Sequence, residues 1–224
     1  MGSVASSREV GQNSSLRNAR PGRFLKFERL VKRVFDIAFS VCALAFISPL
    51  LLIIAVLIKV DSDGPILYVS ERVGKDGKHF RFLKFRTMVK DAEALRGRLL
   101  HLNERQGILF KMSNDPRVTQ LGRLLRRYSL DELPQFFSVL TGEMSVVGPR
   151  PCLPSEYERQ TREQRRRVQV VPGITGLWQV EARSDPSTET YFKLDIQYVE
   201  NWNLALDTVI LMKTFGVVVA GSGE

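Results

Sequence analysis

The densest cluster of candidate chemistry in the chain is Arg126-Arg127-Tyr128-Ser129-Leu130-Asp131-Glu132-Leu133-Pro134-Gln135. Two adjacent carboxylates behind two guanidiniums suit phosphate chemistry. At a helix start, Asp131 would stay ionised, as a nucleophile must, and carboxylate attack on phosphorus is the chemistry of aspartyl-phosphate enzymes. Glu132 offers hard oxygen ligands for a Mg²⁺ that neutralises a diphosphate. Arg126 and Arg127 can clamp non-reacting phosphate oxygens in bidentate fashion, and free N–H groups at a helix N-terminus add to that binding. The same residues have a structural explanation as well. Ser129 followed by Glu132 is a capping box, and Asp131 in a first turn is favoured by the helix dipole. The local pattern leaves both readings open.

Two further positions hold basic side chains in stiff settings. Gly148-Pro149-Arg150-Pro151 fixes Arg150 between prolines and presents its guanidinium at little entropic cost, although an arginine in a turn is commonly just solvated. Lys84-Phe85-Arg86-Thr87-Met88 places Lys84 and Arg86 on one face of a strand and Phe85 on the other, a pattern that strand alternation alone also produces.

The elements that must position these groups follow from periodicity and turn signals. Residues 66–73 and 79–85 read as two strands joined by a turn at Asp76-Gly77. Asp61 and Asp63 read as turn residues before the first strand rather than as metal ligands. Helices are expected over 89–103, 120–128, from Ser129 onward, over 155–168, and near 189–202 and 206–219, with a Pro172-Gly173 turn between. The arginine run Arg159, Arg162, Arg165, Arg166 and Arg167 reads as a solvated or headgroup-facing helix surface.

Upstream, the run from Ile37 to Ile58 carries no charge and is long enough to cross a bilayer. Ser48-Pro49 falls near its middle, where proline removes a backbone donor. A kinked spanning helix is one reading. Basic residues on both flanks (Lys26, Arg29, Lys32 and Arg33 before; Lys59, Arg72, Lys75 and Lys78 after) favour another, a re-entrant helix-break-helix that keeps both ends on the cytoplasmic side. The apolar stretch 206–215 is short for a span and suits packing or the membrane interface.

Composition agrees with an anionic environment. The 224 residues carry a formal charge of +9, which fits an anionic membrane surface, a phosphorylated substrate or nucleic acid. Cys42 and Cys152 form no CxxC pair, and a reducing compartment fits them best. Residues 1–23, rich in Ser, Gly, Asn and Arg, read as a flexible basic tail and not as a signal peptide. The expected organisation is that tail, an amphipathic lead-in and membrane helix over 24–60, and a catalytic domain with interfacial helices over 61–224. The fold class is α+β: a mostly helical domain with a small β-hairpin, anchored by a re-entrant segment broken at Ser48 and Pro49.

Taken together, the chain resembles the bacterial sugar transferase family of monotopic phosphoglycosyl transferases. The resemblance rests on Ser48-Pro49, Lys84-Phe85-Arg86-Thr87-Met88, Asp115-Pro116-Arg117-Val118-Thr119 and Ser129-Leu130-Asp131-Glu132-Leu133-Pro134-Gln135. It continues through Gly142-Glu143-Met144-Ser145-Val146-Val147-Gly148-Pro149-Arg150-Pro151 and Pro172-Gly173-Ile174-Thr175-Gly176-Leu177-Trp178-Gln179. It implies an Asp131–Glu132 dyad, in which the aspartate attacks the β-phosphate of a UDP-sugar and expels UMP. Polyprenyl (undecaprenyl) phosphate then takes the sugar phosphate, as the first step of exopolysaccharide, O-antigen or capsule assembly. It further implies Mg²⁺ at Glu132, phosphate contacts from Lys84, Arg86, Arg126 and Arg150, and a site role for Asp195. The implied location is the bacterial inner membrane, with the domain on the cytoplasmic face among membrane lipids.

The resemblance leans toward UDP-glucose or UDP-galactose over an N-acetylated donor, and it leaves a homodimer open. Larger family members carry extra spanning helices, so the chain is either a naturally short member or the catalytic part of a long one. The rival from another class is a membrane-anchored basic binding module or an inactive scaffold. A nucleic-acid partner is not expected, because no RNA-binding aromatic motif, zinc spacing or recognition helix is present.

Overall fold

Backbone groups in an apolar run have few partners other than one another, and a helix satisfies them internally. In the computed structural model the run from Ile37 to Ile58 forms the centre of α1 (Gly22–Asp61). The structure describes residues 22–104, 112, 114–183, 185 and 187–221; the tail expected over 1–23 lies almost wholly outside them. Within Lys26–Asp61 the mean hydropathy of the most apolar window reaches 3.0 and only 11% of that window is buried. A soluble core helix would be covered by its own protein; this one is not.

α1 runs on through Ser48-Pro49, which corrects the expected separation into two helices. The physical reason is visible in the Ser48 side chain. Pro49 has no N–H to offer the carbonyl of Ala45, and Ser48 Oγ donates to that carbonyl instead, at 2.9 Å. The proline's missing bond is replaced and the helix need not break.

Beyond α1, β1 (Leu67–Val73) and β2 (His79–Phe85) pair antiparallel. Their turn holds Asp76 and Gly77 at φ 57° and 78°, the left-handed pair that a tight hairpin favours. Alternation puts Tyr68, Ser70 and Arg72 on the same face as their partners Lys84, Phe82 and Phe80. Next come α2 (Ala92–Leu99), α3 (Gln120–Arg127), a 3-10 turn at Leu130–Glu132 and α4 (Gln135–Thr141). Then β3 (Ser145–Val147) pairs in parallel with β4 (Gly173–Thr175), across α5 (Pro154–Glu158) and a 3-10 stretch at Gln164–Gln169. The chain closes with α6 (Leu177–Glu181), α7 (Thr188–Asn201) and α8 (Leu204–Val219). The result is a mostly helical domain with two small two-stranded sheets.

One expected helix takes another form. The stretch 155–168 is a short helix followed by a 3-10 segment, and Arg167 turns inward to 2% exposure, so the arginine run is not one solvated face. The β3/β4 pair was not expected; its strands are three residues each and carry no period long enough to read. It depends on close backbone approach. A Cβ on Gly148 would lie 2.6 Å from the Val171 carbonyl oxygen and 2.8 Å from the Gly173 nitrogen.

Both halves of α1 dock on this one domain. Ile54 and Ile58 join Phe85 and Leu125 in an apolar cluster. Toward the other end, Arg33 donates to the carbonyls of Val139 and Leu140 at the close of α4, and Asp36 accepts from Val146 N at 3.0 Å. Lys32 donates to the Val147 carbonyl and pairs with Asp207 at 2.6 Å, where Tyr198 and Trp202 also donate. The main core is formed by Phe80, Phe82, Val139, Met144, Val146, Val147, Leu177, Tyr198 and Ile210.

Candidate active site

Asp131 and Glu132 are 4% and 9% exposed, in a 3-10 turn rather than at the start of a regular helix. Ser129 does not cap it. Its backbone sits at φ 56°, its side chain accepts no capping bond, and the expected capping box is therefore absent. The reason is competition: Glu132 turns its carboxylate away from Ser129 toward two cations. A non-glycine residue in the left-handed region is strained, and such strain is held by a well-packed surround. Pro134 then delays the regular helix until Gln135, so the phosphate-binding helix start expected at Ser129 is not formed there.

Lys84 joins the two carboxylates. Its Nζ donates to Asp131 Oδ2 at 3.1 Å and to Glu132 Oε1 at 2.7 Å. Arg150 meets Glu132 from the other side through a fork, Nη2 to Oε1 at 2.8 Å and Nη1 to Oε2 at 3.4 Å. Burial alone would push the Glu132 carboxyl upward, but the charges and hydrogen bonds of Arg150 and Lys84 outweigh it and hold Glu132 well below the usual carboxylate range. Burial also works against the charge on Arg150, and Glu132 more than offsets it. Glu132 is thus locked as an anion. Asp131 is engaged through one oxygen only, which leaves Oδ1 without a protein partner among the described residues.

The remaining expected residues divide. Arg126 lies near Asp131, with its Nε donating to Thr87 Oγ1 at 3.0 Å; burial lowers its affinity for the proton, partly offset by Asp131. Arg127, by contrast, is exposed and stacks beside Tyr128. Arg86 is not at the site, which corrects the expectation that it shares a face with Lys84. β2 ends at Phe85, and the buried Arg86 guanidinium reaches back to the carbonyls of Ile58, Ser62 and Asp63 at the close of α1. A helix C-terminus rich in unpaired carbonyls is a good place for a cation. Arg86 thus ties the close of α1 to the end of β2.

Asp195, on α7, is 1% exposed and touches neither member of the dyad in the described contacts. It is paired with Arg167, which donates to the carbonyl of Arg150 and stacks over Tyr191 with its Cζ 4.5 Å from the ring centroid. Burial, opposed by Arg167, pushes the Asp195 carboxyl up to about 6. Arg167 was not legible as a site neighbour, because in sequence it is one arginine of five and no local signal sets it apart.

Metal fit can be judged from the donors. Among the described residues no group of three or more His, Cys, Asp or Glu comes together as a metal cage. Asp131 Oδ2 and Glu132 Oε1 do converge on a single cationic point, held by Lys84 Nζ. That donor set fits Mg²⁺, which is commonly bound by one or two carboxylates plus substrate phosphates and water.

Residues 27–221 match the model of a family described as bacterial sugar transferase. The exopolysaccharide production protein ExoY of Rhizobium meliloti is 41% identical over 199 residues, covering 87% of this chain and 88% of that protein. An undecaprenyl-phosphate galactose phosphotransferase of Salmonella typhimurium is 43% identical, over 87% of this chain and 42% of its own length. A UDP-N-acetylgalactosamine-undecaprenyl-phosphate N-acetylgalactosaminephosphotransferase of Aeromonas hydrophila is 38% identical, over 86% and 44%. The chain therefore spans less than half the length of several of the relatives it matches.

Proposed function

Because the chain belongs to the bacterial sugar transferase family, we propose that it moves a sugar 1-phosphate from a UDP-sugar to undecaprenyl phosphate in two steps. The observation that carries this reading is the buried dyad: Glu132 is fixed by Lys84 and Arg150, while Asp131 is oriented through one oxygen and keeps the other free. In the first step the free oxygen of Asp131 attacks the β-phosphorus, the bond to the bridging oxygen breaks, and UMP leaves. In the second, a phosphate oxygen of the lipid attacks the same phosphorus and Asp131 regains its carboxylate. Neither step needs a proton to be moved by the protein, so the site's work is positioning and charge balance. Lys84 and Arg126 neutralise the growing charge, and Arg150 keeps Glu132 in place. Mg²⁺, held by Glu132 with Asp131 beside it, would neutralise the diphosphate when bound.

The proposed location is the inner membrane, with the domain on the cytoplasmic face and α1 as its anchor. We further propose that α1 enters and leaves by one leaflet. A straight crossing would put its ends on opposite sides of the bilayer, yet Lys32–Asp36 and Ile54–Ile58 rest on the same domain. Pro49 is where such a helix can bend while staying hydrogen-bonded.

The preferred donors are UDP-glucose and UDP-galactose. The test is UMP release by the purified protein in nanodiscs with Mg²⁺, offered these donors and UDP-N-acetylgalactosamine, with and without undecaprenyl phosphate. Steady release that needs the lipid and falls on the order of a thousandfold in Asp131→Asn is expected. Absence of UMP with every donor would overturn the catalytic reading in favour of a scaffold.

A further inference from the structure

Most cations around the dyad have a carboxylate. Lys84 and Arg150 have the dyad itself, Arg167 has Asp195 and Arg117 has Asp115. Arg72 has none. Its Nε lies 3.5 Å from Ser70 Oγ and its Nη1 3.4 Å from the Pro151 carbonyl, both at the long limit of a hydrogen bond. Its Cζ lies 5.1 Å from the centroid of the Phe82 ring, and Lys84 Nζ lies 5.8 Å from the same centroid. Strand alternation accounts for this: residues 72, 82 and 84 share one face of the hairpin.

The neighbouring residue fixes the place. Val73 N donates to the Cys152 carbonyl at 2.9 Å, which ties β1 to the Arg150-Pro151-Cys152 segment. Arg72 is thereby brought beside Arg150. Burial, and then the like charge of Arg150, weaken its hold on the proton, and the more distant charge of Glu156 offsets this only in part. A guanidinium has five donors in a planar fork. Here they are half-buried, poorly satisfied and next to another cation, which is costly unless an anion arrives.

We propose that Arg72 is a substrate-binding residue that, together with Arg150, takes up a phosphate group beside the dyad. The proposal rests on the phosphotransferase reading above. Both substrates bring the required chemistry, a tetrahedral oxyanion that a guanidinium fork binds in two places. It is either the phosphate of the nucleotide or the terminal phosphate of the lipid acceptor.

The experiment uses Arg72→Gln and Arg72→Lys in the full chain in nanodiscs, with wild-type protein beside them. UMP binding is measured by calorimetry, and the KM for undecaprenyl phosphate is measured at saturating donor. The proposal predicts a loss of at least about tenfold in one of the two for Arg72→Gln, with little restoration by Arg72→Lys, which keeps the charge and lacks the fork. A loss confined to UMP affinity assigns the subsite to the nucleotide; a raised KM confined to the lipid assigns it to the acceptor. A structural role alone would lower the melting temperature and leave both constants within twofold, and that result overturns the proposal. If Arg72→Gln fails to fold, Arg72→Lys decides by the same criteria. Wild-type protein that releases no UMP would instead sink the function on which the proposal rests.

Discussion

The dyad residues differ in freedom more than in chemistry. Glu132 is held by two cations through both oxygens, so removing its charge leaves Arg150 without its carboxylate and Lys84 with Asp131 alone. Glu132→Gln is expected to lower activity by about a hundredfold or more and to destabilise the fold by roughly 3 kcal/mol, as for a broken buried pair; UMP release and denaturant melts measure both. Asp195 predicts a pH dependence. Its carboxyl is raised from 3.8 to about 6, chiefly by burial and against the pull of Arg167. A raised carboxyl binds its proton more tightly when folded, so its contribution to stability is complete below about pH 4 and is lost as pH rises through about 6. The stability of wild-type protein relative to Asp195→Asn should therefore fall across that window, and a difference that rises or stays flat would contradict it.

At the scale of elements, the site is assembled from a hairpin, a strained turn and a proline-flanked loop. Gly148 lets that loop approach β4, because any Cβ there would meet the Val171 carbonyl. Gly148→Ala is expected to displace Arg150 from Glu132 and cost activity tenfold or more while the core persists; activity set against a thermal melt separates the two effects. The hairpin, α3, α7 and α8 were legible because their periods are long, and Asp76-Gly77 gave the turn away. Arg86 was misplaced because strand alternation was extended one residue past the end of β2. The Ser129 cap was misread because a short sequence motif could not register Lys84 and Arg150, which are distant in the chain and decide where Glu132 points.

For the whole molecule, the question is how the buried Asp131–Glu132 dyad is held at a membrane. The Lys32–Asp207 pair, with Tyr198 and Trp202 on the same carboxylate, couples α1 to α8 and to the Val147 carbonyl that precedes Gly148-Pro149-Arg150. Lys32→Met, which leaves Asp207 buried and uncompensated, is expected to cost on the order of 3 kcal/mol in a melt. The path of α1 can be tested with cysteines at the exposed positions Arg29 and Asp63 in a Cys42→Ser background. An impermeant thiol reagent should reach both from the same side of sealed vesicles, whereas labelling from opposite sides would show a crossing. The membrane run and the dyad were legible in the sequence as motifs; that both ends of α1 rest on one domain was not, since no local pattern records which residues meet across the fold.

The central claim is that Asp131 carries the sugar phosphate covalently. The most direct measurement is the intact mass of the nanodisc-held protein, mixed with donor and Mg²⁺ in the absence of lipid, followed by peptide mapping. A sugar-phosphate increment on the peptide containing Asp131, absent from Asp131→Asn and discharged by undecaprenyl phosphate, is the predicted result. Wild-type protein that releases UMP only when lipid is present, with no adduct at any time, would contradict it and point to direct transfer between the two substrates.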